Sequence, residues 1–143
     1  VYSKEWVKPM AEVLAKLGCE KAWVVHGAGG LDELSTIGQN YVCEVNGKEI
    51  KELCISPEDA GIPLATLDQL KGGGASYNAE RLQALLKGQE DAYRDIVIFG
   101  VAAALLVADK VSDLKHGVEL AAESIDRGKA LKALETMIQI SQN

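Results

Sequence analysis

The sequence predicts an α/β fold: a layered sheet of mostly parallel strands with one β-hairpin, flanked by helices. Three observations carry this. A stretch of helical period, residues 3–17, runs into the apolar segment KAWVVH at 21–26, and a helix followed closely by a buried strand marks an α/β layer. Asn46-Gly47 separates two strand-like segments, a strong hairpin signal. The second half of the chain is helical in period and composition.

In the first stretch, Trp6, Val7, Met10, Val13, Leu14 and Leu17 fall at helical spacing. Proline is excluded from a helix interior, so Pro9 predicts either a kink or a helix that starts near it. Gly18 is the stop. Strands are expected over 21–26, 41–45 and 48–55. With Asn46 and Gly47 as the turn residues, Cys43 faces Ile50 and Cys54 falls opposite Gln39. From Ser56 to Gly74, two prolines, several glycines and weak periodicity predict a loop. Asn78 to Leu86 fits a helix with Leu82, Leu85 and Leu86 on one face. Residues 95–109 could be strand then helix, but their alanines favour one buried helix. Ser112 or Asp113 caps the next helix, whose apolar face is Leu114, Val118, Ala121, Ala122 and Ile125, and Gly128 ends it. Ala130, Leu131, Leu134, Met137 and Ile138 make the face of the last.

A chain of 143 residues suffices for one domain, 1–143, with its own core. It is 48% hydrophobic and 25% charged, near the globular average. The run IVIFGVAAALLVA, 96–108, falls short of the roughly 20 residues that a membrane span needs, and no secretory signal opens the chain. A formal net charge of −6 argues against nucleic acid as a partner, since phosphates need a basic face. It leaves open a phosphate-bearing substrate held through a cation. Cys19, Cys43 and Cys54 are an odd, sparse set without a CxxC, which suits reduced thiols in a cytoplasmic protein. The chain begins at Val1 rather than Met, which leaves room for an N-terminal part.

The segment HGAGGLDELST, 26–36, sets Asp32 and Glu33 side by side behind three glycines. In a loop, both carboxylates can turn toward one site. Magnesium suits such a pair, because it takes a few carboxylates, keeps several waters and accepts phosphate oxygens. Gly27, Gly29 and Gly30 let the backbone approach a ligand closely. The same residues also allow a plain reading, in which two acids complement the dipole of a helix start. KGGGASYN, 71–78, lacks the spacing of a phosphate-cradling loop and reads as a loop capped onto a helix by Ser76 or Asn78. His26 and His116 have no metal-ligand spacing, and no GxSxG is present.

YSKEWV, VVHG and LDELST, in that order and spacing, resemble the anthranilate phosphoribosyltransferase family. RDIVIFGVAAALLVADK, GGGASYNAERLQALLKG and GVELAAESIDRGKALKAL extend the resemblance over essentially the whole chain. It implies a nucleoside phosphorylase/phosphoribosyltransferase-like C-terminal α/β domain, present in part. It implies transfer of a phosphoribosyl group from phosphoribosyl pyrophosphate to anthranilate, a step of tryptophan biosynthesis, with Mg2+ as cofactor. The family's paired magnesium-holding acids match Asp32 and Glu33. No residue here matches a catalytic or other cofactor-binding role. The family's glycine-rich diphosphate loop, Lys-His-Gly-Asn-Arg segment and anthranilate-contacting arginine lie N-terminal to the matched region. Family chains are more than twice this length and dimerise through a helical domain. The resemblance therefore implies the magnesium-binding half of a site, inactive alone, in an enzyme that is a homodimer when full length. Gly74 stands where the family leads one to expect an acid, and Gly100 where it leads one to expect asparagine.

Other classes fit less well. In purine-salvage phosphoribosyltransferases the acids directly follow the strand and a compact phosphate loop comes next; here Gly27 to Leu31 intervene. Pyrimidine nucleoside phosphorylases share the architecture without needing the acid pair. A nucleic-acid-binding relative is disfavoured by the charge.

Overall fold

The computed structural model describes residues 1–142. A 3-10 turn at Lys4–Trp6 leads into helix α1, Val7–Lys16. Strand β1 is Lys21–His26, β2 is Asn40–Asn46 and β3 is Glu49–Ile55. Helices α2 (Leu67–Leu70), α3 (Ala75–Leu86), α4 (Ala92–Val107), α5 (Leu114–Asp126) and α6 (Lys129–Ser141) follow.

Pro9 introduces no break. It is the third residue of α1, where the backbone N–H has no intrahelical partner to lose. At the other end Gly18, at φ 84, closes the helix. Its N–H donates to Ala15 O and that of Cys19 to Leu14 O, a Schellman stop.

The sheet corrects the expected strand direction. Among the described residues it has three strands in the order β1-β2-β3, and both pairings are antiparallel. The helix-then-strand pattern implied a parallel neighbour for β1. Instead β1 pairs with β2 alone among the described residues, reached through the loop at 27–39. The hairpin register also differs. Gly47 and Lys48 are the turn residues, with Asn46 opposite Glu49. Gly47 takes φ 60, as a type II′ turn demands of its first central residue. Cys43 therefore faces Glu52, and Cys54 faces Tyr41. Each partner moves by two residues, so the strand faces are unchanged, and the three thiols are free.

Alternation along the strands splits the core. Val24, Cys43 and Val45 point to α1 and meet Val7 and Ala11. On the other face Val42 and Ile55 join Ile98, Phe99, Ala102, Leu114 and Ile125 from the helices. The expected inward face of α1 was too wide: Trp6, Met10, Val13 and Leu17 are exposed. Met137 and Ile138 of α6 are exposed too, whereas Ala130, Leu131 and Leu134 pack on the core.

The expected loop from Ser56 to Gly74 holds a 3-10 turn, Pro57–Ala60, and the short α2. Its Ser56 and Thr66 form capping boxes with Asp59 and Gln69, a local signal that the weak periodicity hides. Residues 92–107 form one helix, as the alanines implied. Asp113 caps α5, its Oδ1 accepting from the His116 N–H at 2.9 Å, while Ser112 donates to its Oδ2. Gly74 is the N-cap of α3, without a side-chain cap. Neither Ser76 nor Asn78 holds that position; Asn78 folds back onto Gly73 N and O. No helix among the described residues is long and apolar enough to cross a membrane.

Candidate metal centre

The loop at 27–39 joins the end of β1 to the start of β2. It opens in a 3-10 turn at Ala28–Gly30, with Gly29 and Gly30 at φ 77 and 83. The Gly27 N–H donates to Leu31 O at 2.8 Å, which folds the loop back on itself. That closure demands glycine: a Cβ on Gly27 would stand 2.1 Å from Glu33 O. Leu34 then plugs into the main core, and Ser35 and Thr36 are wholly buried.

Asp32 and Glu33 are exposed in this loop, next to a buried leucine. They start no helix; both lie in a bend. Their carboxyls reach each other. Hydrogen bonding to Glu33 holds Asp32 below its ordinary value, helped by its own backbone N–H. Hydrogen bonding to Asp32, then burial, pushes Glu33 up. The two carboxyls thus shift each other in opposite directions, as neighbouring like charges do. A hard dication in the same place relieves that repulsion and meets only oxygen donors, so the two residues fit magnesium.

Among the described residues, no third histidine, cysteine, aspartate or glutamate joins them. His26 lies at the same end of β1, but its Nδ1 contacts Val1 O at 2.9 Å. The Val1 amine donates to Val25 O and to Asp32 O, at 2.6 and 2.9 Å. His116 is in the first turn of α5. A site built on the pair alone leaves most of a cation's shell to water and to a ligand's own oxygens.

A family profile described as "Glycosyl transferase family, a/b domain" matches residues 1–131. The chain belongs to that glycosyl transferase family. Within it, the chain is 49% identical over 98% of its length to the anthranilate phosphoribosyltransferase of Rhodospirillum rubrum, of which it covers 40%. It thus spans about 40% of the length of the curated relatives it matches. The a/b domain overlays the anthranilate phosphoribosyltransferase of Thermus thermophilus with a TM-score of 0.90, at 38% identity, over 100% of this chain and 42% of that one. It overlays the Saccharomyces cerevisiae enzyme in complex with PRPP and Mg with a TM-score of 0.85, at 28% identity, over 94% of this chain and 39% of that one.

Two parts of this candidate site escaped the sequence. Asn40, the wholly buried first residue of β2, bonds to both sides of the acidic loop. Its signal was a polar residue opening an apolar strand. Thr36 also passed unremarked; its buried hydroxyl has no partner, while its carbonyl accepts from the Ala65 N–H.

Proposed function

We propose that residues 1–143 are an α/β unit supplying the magnesium-binding half of an anthranilate phosphoribosyltransferase site. The reaction transfers a phosphoribosyl group from phosphoribosyl pyrophosphate to the amino nitrogen of anthranilate, in tryptophan biosynthesis. One observation carries the reading: Asp32 and Glu33 stand in contact, exposed, on a loop anchored at both ends, with no third protein ligand among the described residues. Such a pair suits a cation that arrives with, or waits for, a diphosphate.

When bound, the dication supplies positive charge against the diphosphate that leaves the anomeric carbon. The chain's own work is positional. Asp32 and Glu33 give oxygen ligands to the cation, and burial of Leu34 behind them keeps both side chains turned outward. The glycines hold the loop closed so that the acids project beyond it. An aniline nitrogen needs no strong base to attack. The remaining contacts to the diphosphate and to anthranilate belong, on this reading, to a longer protein, homodimeric and cytoplasmic. Phosphate-driven binding of nucleic acid is disfavoured by the net charge of −6.

The reading also completes the sheet. The outer edge of β1 accepts a parallel strand, with α1 as the crossover.

The test is the double variant Asp32→Asn, Glu33→Gln in a full-length enzyme containing this chain. Turnover should be lost at every magnesium concentration, with the melting temperature unchanged or raised, since repulsion between the acids goes. Magnesium alone should bind weakly to the present chain, at about millimolar, and tightly to the full enzyme once phosphoribosyl pyrophosphate is added. Normal turnover of the double variant across a magnesium titration rules the assignment out.

A further inference from the structure

We propose that Asn40 is the positioning residue of the acidic loop, setting where Asp32 and Glu33 stand without touching the cation. The proposal rests on the reading that this pair holds a divalent cation. Asn40 is 0% exposed and begins β2, so its backbone is fixed by the sheet. Its Oδ1 accepts from the Ser35 N–H at 2.7 Å and from the Ala28 N–H at 3.3 Å. Its Nδ2 donates to Ser35 O, Gly38 O and Ile55 O at 3.0, 3.1 and 3.2 Å.

These contacts are arranged around the acids. Ala28 precedes them in the chain; Ser35 and Gly38 follow. Ile55 O belongs to β3 and ties the amide to the frame. One side chain thus pins the loop before and after Asp32 and Glu33. A carboxamide alone does this, because it presents an acceptor and a two-hydrogen donor in one plane. Aspartate lacks the donors, and a hydroxyl is too short to span both sides. The loop is also pressed close: the Cβ position of Gly27 lies 3.3 Å from Asn40 Oδ1 as well as 2.1 Å from Glu33 O. A loop held this way needs little further ordering when the carboxylates take up a cation. Holding ligands from a rigid element is what gives a metal site its precision.

Mn2+ titration of this chain, followed by water-proton relaxation, tests the idea. Five samples are compared: wild type, the Asp32→Asn, Glu33→Gln double variant, Asn40→Ala, Asn40→Asp, and Ile125→Ala as a core control on α5. Asn40→Ala should bind Mn2+ about tenfold more weakly or worse, the usual effect of removing a group that orients metal ligands. Asn40→Asp keeps the acceptor but loses the three donations. It too should weaken binding, although its added negative charge alone would tighten it. Loss against that electrostatic trend is a signature of geometry. Ile125→Ala should lower the melting temperature and leave Mn2+ affinity unchanged. Where Asn40→Ala does not fold, Asn40→Asp decides. Wild-type affinity in a folded Asn40 variant, with binding lost in the acid variant, overturns the role of Asn40 alone. Equal weakening in Ile125→Ala overturns it as well, since stability then explains the effect. Unchanged binding in the acid variant overturns the reading of the pair, and Asn40 falls with it.

Discussion

Gly27 and Asp32–Glu33 divide the labour of the candidate site between backbone and side chain. Gly27 has an ordinary φ of −81, so its conformation does not require glycine. What requires it is space, because Glu33 O occupies the position of its Cβ. Gly27→Ala should therefore destabilise the fold by about 1–3 kcal/mol, the usual cost of overpacking. Urea denaturation measures this, and a midpoint equal to wild type would contradict it. The motif's glycines were visible in the sequence, but their two different reasons were not. Gly29 and Gly30 answer to positive φ, Gly27 to close approach.

At the scale of helices, one substitution acts in two directions. Gly100 lies exposed in α4, and a Cβ there meets nothing within 4 Å. Gly100→Ala should stabilise by roughly 1 kcal/mol through helix propensity. Gly117 lies where α5 crosses α4, and its Cβ would stand 2.9 Å from Ala102 Cα and O. Gly117→Ala should destabilise by about 1–3 kcal/mol despite the same gain in propensity. Melting curves of the two variants should shift in opposite directions; a shared sign would refute the packing argument. Asp91 governs the start of α4. Its Oδ1 accepts from the Arg94 N–H at 3.0 Å, and its Oδ2 pairs with Arg81 at 2.6 Å. Burial pulls its pKa up, but the Arg94 amide and the Arg81 guanidinium outweigh that and hold it below the ordinary 3.8. With the folded pKa lowered, the unfolded chain takes up the proton first. The stabilisation is complete above the unfolded value and drains away as pH falls below it. Asp91→Asn should flatten the acid limb of a stability–pH curve below about pH 4; an unchanged slope there would show that Asp91 carries none of it.

For the molecule as a whole, exposed surface is the informative feature. Tyr2, Trp6, Met10, Val13 and Leu17 form an exposed apolar stripe along the first turn and α1. The outer edge of β1 is unpaired among the described residues. Both features favour association, since an open strand edge and an apolar patch each seek cover. The chain by itself should self-associate as its concentration rises, and Met10→Lys with Leu17→Lys should reduce this. Sedimentation velocity over a hundredfold dilution reads it; a monomer at every concentration would show that the stripe is tolerated bare. Inside, Arg94 is 6% exposed and pairs with Asp126 at 2.8 Å, joining α4 to α5 through the core's edge.

The sequence by itself determined most of the elements and the acids. Helical period, the Asn-Gly turn signal and the alanine-rich run fixed where α1, the hairpin and α4 lie to within a few residues, because those preferences act between near neighbours in the chain. It also placed Asp32 and Glu33 in a loop behind a strand. Only the tertiary structure decided the direction of the sheet, since a strand's sequence records its burial and not which neighbour it hydrogen-bonds. It decided which face of α1 is covered: Val7, Ala11 and Leu14 meet the sheet, while the equally apolar Trp6 and Met10 do not. It brought Asn40 to Ala28, Ser35, Gly38 and Ile55. A buried amide satisfied by five backbone groups is a property of folded space, and no spacing along the chain encodes it.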